Sequence, residues 1–328
     1  MKPLVSILIP AYNVEMWLAQ TLESAVNQTY ENIEIIVLDD GSKDRTCDVA
    51  KKYESTRVKL LRQENMGVCR TRNNLMKQAQ GEFLQFLDAD DVLHPEKIDA
   101  QIRASEKTEP QKTFFTASFG TFFHDINKAR FNPNSLWQDL NPVDWMIFKF
   151  TEILWMNPTT WLIPRTLAEK GGVWNDKIAR SGDDDGEYMC RIIKNADLVK
   201  FVEESKCFYR IGNFGSLNWN SRKALEELYL SLRLSTEHLR AIEDSERTRY
   251  ACLNYIQVWF DYFDDPGEPA RKKMQEYARE LGGELVEPRL KAKYIPFQLI
   301  LGKKFARKMH NFLPKIKLRI SSKLEAWQ

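Results

Sequence analysis

Glycine is scarce in this chain, at 14 of 328 residues, which argues against low-complexity and collagen-like architectures. No uninterrupted apolar stretch reaches the roughly 18 residues of a membrane-spanning helix. The first residues run directly into a strand-like segment, Leu4 to Ile9, without the pattern of a signal peptide. A cytoplasmic location is the expectation. The five cysteines (Cys47, Cys69, Cys190, Cys207, Cys252) contain no CxxC pair and are odd in number, so neither a disulfide framework nor a zinc cluster is indicated, and buried reduced thiols are expected. The glycine signatures that cradle phosphate are also missing: the first strand ends in Pro10-Ala11-Tyr12-Asn13, with neither GxGxxG nor GxxxxGK[ST] nearby. A bound phosphate would need another source of neutralising charge.

What is present is ordinary for a globular protein, with 43% hydrophobic and 29% charged residues, and the length allows two domains or one large domain with an appendage. Charge is unevenly spread. Residues 289–328 hold 11 Lys/Arg and one acid, Glu325, a net +10, while residues 1–288 are acidic at net −8. The two parts are expected to meet different partners.

Apolar clusters at Leu4 to Ile9, Ile33 to Leu38, Val58 to Leu61 and Phe83 to Leu87 have strand length and β-branched or aromatic content. Between them, apolar residues recur at helical spacing: Val14, Leu18, Leu22 and Val26; then Cys47, Ala50 and Tyr53; then Cys69, Leu75, Met76 and Ala79. The order β-α-β-α-β-α-β predicts an α/β domain with right-handed crossovers and a mostly parallel sheet flanked by helices. In such sheets ligands lie outside the carboxyl ends of the strands. Those ends carry Pro10 to Asn13, Asp39-Asp40-Gly41-Ser42, Glu64-Asn65-Met66-Gly67 and Asp88-Ala89-Asp90-Asp91. Residues 110–175 are less regular and rich in tryptophan. Helical patterning returns at Ser221 to Leu239 and at Glu268 to Leu281. The expected organisation is a domain over 1–212, a helical extension over 213–288 and a basic tail over 289–328.

The run Asp88-Ala89-Asp90-Asp91 has two readings. Carboxylates on a turn after a buried strand can hold Mg²⁺ or Mn²⁺ and leave sites for substrate phosphate; equally, they can cap the helix that begins near Pro95. The adjacent acids Asp183-Asp184-Asp185 likewise suit the first turn of a helix capped by Ser181. A carboxylate held there beside a cleft could instead accept a hydroxyl proton.

Taken together, Val5 to Asn13, Val37 to Ser42 with Asp44, Asn65-Met66-Gly67 with Arg72-Asn73, Phe86 to Asp91, and Gly171 to Asn175 followed by Asp183 to Arg191 occur in an order and spacing that resembles the inverting family 2 glycosyltransferases of GT-A fold. The resemblance covers about the first hundred residues closely and fades past Arg210. It implies that Pro10, Ala11, Tyr12, Asn13, Asp39 and Asp40 hold the donor nucleoside, uridine or another, with Asn65 and Gly67 lining the pocket. It implies that Asp88 faces the ribose or the metal, that Asp90 ligates a divalent Mn or Mg ion bridging the two phosphates, and that Asp185 is the general base. Asp184 stands in the position of the family's glutamate, and three successive aspartates leave it as the alternative base.

The implied partners are a nucleotide-sugar donor and a glycan or lipid-linked acceptor. Trp161, one of five tryptophans between Trp137 and Trp174, is a candidate to stack on the acceptor or a core residue. The tail alternates Leu301, Phe305, Met309 and Phe312 with Lys303, Lys304, Arg307 and Lys308, an amphipathic pattern suited to anionic membrane or to docking on the acidic body. No nucleic-acid module accompanies it. Two other functions compete: a catalytically silent scaffold of the same fold that binds nucleotide sugar or recruits partners, and a nucleotidyltransferase, which would need a glycine and lysine loop after strand one.

Overall fold

The computed structural model describes residues 2–179, 181–212, 221–263, 265, 267–287, 296, 300 and 302. Apart from residues 296, 300 and 302, the basic tail lies outside the described residues, as does every residue of its amphipathic pattern.

The first half builds β1 (Val5–Ala11), α1 (Leu18–Val26), β2 (Ile33–Asp39), α2 (Thr46–Lys51), β3 (Val58–Arg62), α3 (Val68–Gln78) and β4 (Phe83–Phe86). The following segment holds β5 (Val92–Leu93), α4 (Lys97–Ser105), β6 (Thr113–Phe122), β7 (Arg130–Phe131) and α5 (Pro142–Glu152), then β8 (Ile163–Pro164), α6 (Arg165–Gly171), α7 (Asp184–Ile193) and β9 (Leu198–Arg210). Three helices follow: α8 (Arg222–Arg240), α9 (Glu246–Trp259) and α10 (Pro269–Glu280).

The main sheet has the order β3-β2-β1-β4-β8, with β3, β2, β1 and β4 parallel and β8 antiparallel at the edge. Both faces of its central strands are covered, so their apolar runs are nearly continuous, as parallel sheets require. The period of two still sorts them. Ile7 and Ile9 enter one core with Ile35 and Val37, while Leu8 enters the other with Ile36, Leu38, Leu84 and Phe86. That second core continues through Trp161, Trp174 and Tyr188 into Leu228, Leu232, Tyr255 and Met274 of the three C-terminal helices.

A smaller sheet, β5-β9-β6-β7, joins the main one through a bridge between Phe115 and Leu162. Its β6 and β9 run parallel, with a register shift between Ala117 and Ser118. Because β5 pairs with the end of β9, the turn after β4 is held against Arg210, and the acidic run acquires a second wall.

Candidate active site

The rim is stitched together before any ligand arrives. Asn13, after β1, takes a left-handed backbone (φ 50°). Its amide donates to Ser42 Oγ at 3.0 Å, and its Oδ1 accepts from the Lys43 amide at 2.9 Å. Tyr12 beside it is 45% exposed, free to present its ring to a ligand. Asp39 is fully buried at the end of β2. Its Oδ1 accepts from the Ser42 amide at 3.0 Å. Arg62 Nε stands 3.2 Å from Oδ2 as an ion pair, but without hydrogen-bond alignment, so that buried oxygen accepts no hydrogen bond from the described residues. A buried acceptor left open is costly unless something else fills it.

Asp40 is spent differently. Its carboxylate accepts from Gln63 Nε2 at 2.7 Å and from the Met66 and Gly67 amides at 2.8 and 2.9 Å, and its carbonyl accepts from Asn65 Nδ2 at 3.1 Å. It shapes the Asn65–Gly67 loop. Gly41 lets that loop approach: its φ is +74°, and a Cβ there would sit 2.9 Å from the Asn65 nitrogen.

After β4 the three aspartates divide their tasks. Asp91 is fully buried, with Oδ1 accepting from the Arg210 amide at 2.9 Å and Oδ2 from Thr159 Oγ1 at 2.7 Å. Burial, reinforced by the charges of Asp90 and Asp88, pushes its pKa well up. It anchors the turn. The Asp90 carbonyl accepts from Arg210 Nε at 2.9 Å, and the Thr21 hydroxyl bonds the Ala89 and Asp91 carbonyls at 3.0 and 2.8 Å. Asp88 and Asp90 remain only partly buried.

Asp88 Oδ1 accepts from Arg72 Nη2 at 2.8 Å, and Arg72 Nη1 donates to Asp184 Oδ2 at 3.1 Å. Arg72, on α3, is nearly buried and lies 4.3 Å from the Trp174 ring centre. Burial works against its charge, but the two carboxylates overcome this and raise its pKa. One guanidinium therefore ties the first acidic cluster to the second.

The second cluster opens α7, with Asp184, Asp185 and Glu187 in its first turn, where the helix dipole favours acids. Ser181 Oγ accepts from the Asp183 amide at 3.1 Å. Asp183 is internal: Tyr255 donates to its Oδ2 at 2.9 Å, Ser231 bonds its carbonyl at 3.0 Å, and Lys149 Nζ lies 3.9 Å from Oδ1. Asp184 is taken by Arg72 and by Cys69 Sγ at 3.5 Å. Asp185 has no ion pair among the described residues, and its Oδ1 accepts only from the amide of Gly186, at 2.8 Å. Burial and then the charges of Asp184 and Asp183 push its pKa up to about 7. A carboxylate of that kind is suited to take a proton near neutrality.

Asp88 and Asp185 line one cavity of about 310 Å³, whose other walls include Lys149, Trp155, Tyr209, Tyr255 and Trp259. Asp90 is not on its lining, although Asp88, Asp185 and Asp90 all act electrostatically on Tyr209. Trp161 is a correction to the sequence expectation. It is 0% exposed, packed near Phe114, Trp174 and Tyr188, and a ring with no exposed face cannot stack on a sugar. The exposed tryptophan at the cavity is Trp155, at 45%.

The donor set suits a divalent cation. Among the described residues no cluster of three or more His, Cys, Asp or Glu forms a complete cage. Mg²⁺ and Mn²⁺ sites that share substrate phosphate need only one or two carboxylates. Asp88 and Asp90, two positions apart on an anchored turn and partly accessible, fit that need. Asp91, with both oxygens engaged, does not.

Sequence reasoning missed Lys149 and the bridging role of Arg72, and within the tryptophan group it singled out Trp161 rather than Trp155. Lys149 left one signal: it is the lone basic residue within the apolar helix Pro142–Glu152.

Strand ends gather acids and amides over a mainly parallel sheet, in the manner of a GT-A fold; of these strand-end residues only Asp88 reaches the cavity that Asp185 lines, and Pro10 to Asn13, Asp39, Asp40, Asn65 and Gly67 lie off its lining. The family "Glycosyl transferase family 2" matches residues 6–170; the chain belongs to it. It is 41% identical over 116 residues to the UDP-Glc:alpha-D-GlcNAc-diphosphoundecaprenol beta-1,3-glucosyltransferase WfaP of Escherichia coli, covering 35% of this chain and 45% of that one. It is 31% identical over 184 residues to an uncharacterised glycosyltransferase of Rickettsia typhi, covering 56% and 57%. The match thus spans less than two thirds of either relative. The crystal structure of S. aureus TarS 1-349 in complex with UDP-GlcNAc superposes with a TM-score of 0.69 at 18% identity, covering 86% of this chain and 81% of that one, a likeness of fold. No described helix is long and apolar enough to cross a membrane.

Proposed function

We propose that the protein transfers a sugar, with inversion, from a UDP-sugar to a hydroxyl of a glycan or lipid-linked acceptor. The observation that carries this reading is the shared cavity of Asp88 and Asp185, where the donor-side acidic turn and an unpaired carboxylate face one space. The naming of WfaP as a UDP-glucose enzyme acting on a diphosphoundecaprenol-linked sugar, and of TarS in complex with UDP-GlcNAc, supports the donor and acceptor classes.

The donor nucleoside rests on Pro10 to Asn13 and on Asp39, whose open Oδ2 offers an acceptor to a base N–H. Asn65 and Gly67 border the pocket, in a loop that Asp40 holds in shape. Asp90 and Asp88 would hold the divalent cation, which when bound neutralises charge on the departing diphosphate. Asp185 takes the proton of the acceptor hydroxyl as its oxygen attacks the anomeric carbon. The bond from that carbon to phosphate oxygen breaks on the opposite face, and its electron pair leaves with UDP. Asp184 is engaged by Arg72 and is not the base. The basic tail provides contact with an anionic membrane surface, where a lipid-linked acceptor resides; the support for this is its sequence alone.

The test is a panel of UDP-sugars with Mn²⁺ or Mg²⁺ and acceptor glycosides, with the product anomer read by NMR. UDP release coupled to a product of inverted configuration is expected. A retained configuration, or nucleotide binding with neither transfer nor donor hydrolysis, would refute the reading.

A further inference from the structure

Lys149 is 2% exposed, yet it lines the cavity that holds Asp185. An ammonium has three donors. Among the described residues this one makes no hydrogen bond; its nearest acid, Asp183 Oδ1, is 3.9 Å away, and the Tyr255 ring centre is 5.3 Å away. Desolvated donors left unfilled are costly, and the open side of this group is the cavity. Asp183 has its own partners in Tyr255 and Ser231, so it does not depend on Lys149 for hydrogen bonds. The same cavity presents Trp155 and, from α9, Trp259. Aromatic faces beside a few directed polar groups suit a pyranose. Among the described residues that line the cavity, Lys149 is the one cation against Asp88, Asp183 and Asp185, a balance that disfavours an anionic sugar.

We propose that Lys149 determines acceptor specificity: its ammonium donates a hydrogen bond to an uncharged oxygen of the acceptor pyranose and so selects which hydroxyl faces Asp185. This rests on the transferase reading above.

The test uses the full chain and octyl glycosides of glucose, N-acetylglucosamine and glucuronic acid, together with monodeoxy versions of the better neutral probe. Lys149→Met is expected to raise the acceptor KM about tenfold or more while the dissociation constant for UDP stays within about twofold. One monodeoxy probe should lose a similar factor with the wild type and nothing further with the variant, the non-additivity that identifies the paired groups. If Lys149→Met does not fold, the charge-balanced Lys149→Met/Asp183→Asn pair takes its place, with the same non-additivity expected, while Lys149→Gln, which retains a donor, should keep part of the wild-type discrimination among the deoxy probes. Equal losses for every deoxy probe in wild type and variant overturn the proposal. A preference for the glucuronide that Lys149→Met abolishes overturns the uncharged partner. Donor hydrolysis that no octyl glycoside diverts overturns the pyranose site. A wild type that neither transfers nor hydrolyses any UDP-sugar refutes instead the reading on which this rests.

Discussion

Arg72 and Asp184 are 112 positions apart in the chain and 3.1 Å apart in space. Through the same guanidinium Asp184 is joined to Asp88, so the turn after β4 and the start of α7 form one ion-paired unit. Removing the guanidinium leaves two carboxylates facing each other in a poorly solvated place. Truncating one member of a buried ionic group costs about 3–5 kcal/mol. Arg72→Met should therefore lower stability by about that amount in urea unfolding and reduce transfer in whatever remains folded. A stability within about 0.5 kcal/mol of wild type would show that the bridge is dispensable.

For Asp185 the prediction concerns both rate and pH. Asp185→Asn should lower turnover by about 10² to 10⁴ with UDP affinity unchanged, whereas unchanged turnover would reassign the base. Because the base must be ionised, wild-type turnover should fall as pH drops through about 7. The folded state also holds this proton more tightly than the unfolded chain, whose aspartates titrate near about 4. Ionisation of Asp185 therefore costs stability as pH rises from there to about 7. At pH 8 Asp185→Asn should be the more stable protein by thermal unfolding, and at pH 3 the two should coincide.

Metal dependence is checked at Asp90. Chelation should abolish transfer by the wild type, and Mn²⁺ or Mg²⁺ should restore it. Asp90→Ala should lose both activity and metal response; metal-stimulated turnover in this variant would assign the cation elsewhere. Asp91→Ala should instead destabilise the protein, since it deprives the Arg210 amide and the Thr159 hydroxyl of their acceptor.

The two tryptophans should separate. Trp161→Ala empties a core position and should cost about 3–5 kcal/mol. Trp155→Ala removes an exposed ring and should leave stability within about 1 kcal/mol while raising the acceptor KM. The opposite pattern would return acceptor recognition to Trp161.

For the tail, the full chain is expected to float with liposomes of anionic lipid, and a chain ending at Pro288 is expected to stay behind. Equal flotation would remove the membrane contact.

The four parallel strands and their polar ends were legible because local pattern defines them: continuous apolar runs of strand length, each followed by turn residues and acids. The acidic start of α7 was legible for the same reason. What escaped depends on distant pairing. Thr113 to Phe122 is nearly all buried, so it shows no alternation, and its parallel partner lies about 85 positions away. Arg72 was visible as a motif residue, but its bridge is completed by residues 16 and 112 positions away. Nor could spacing rank the tryptophans, since exposure separates Trp155 from Trp161 and is settled only when α6, α7 and the C-terminal helices close over the core. Among three consecutive aspartates, the partners Arg72 and Lys149 with Tyr255 make the distinction that order in the chain cannot.

The cavity's far wall, Tyr255 and Trp259 on α9, comes from beyond residue 170, where the family match stops. On the proposed reading, the strand ends that hold the activated sugar are encoded upstream, and Asp185 with part of the wall that greets the incoming alcohol is encoded downstream. A chimera that keeps the amino-terminal portion and exchanges the carboxyl-terminal helices would redirect the recipient while leaving the currency of the reaction untouched.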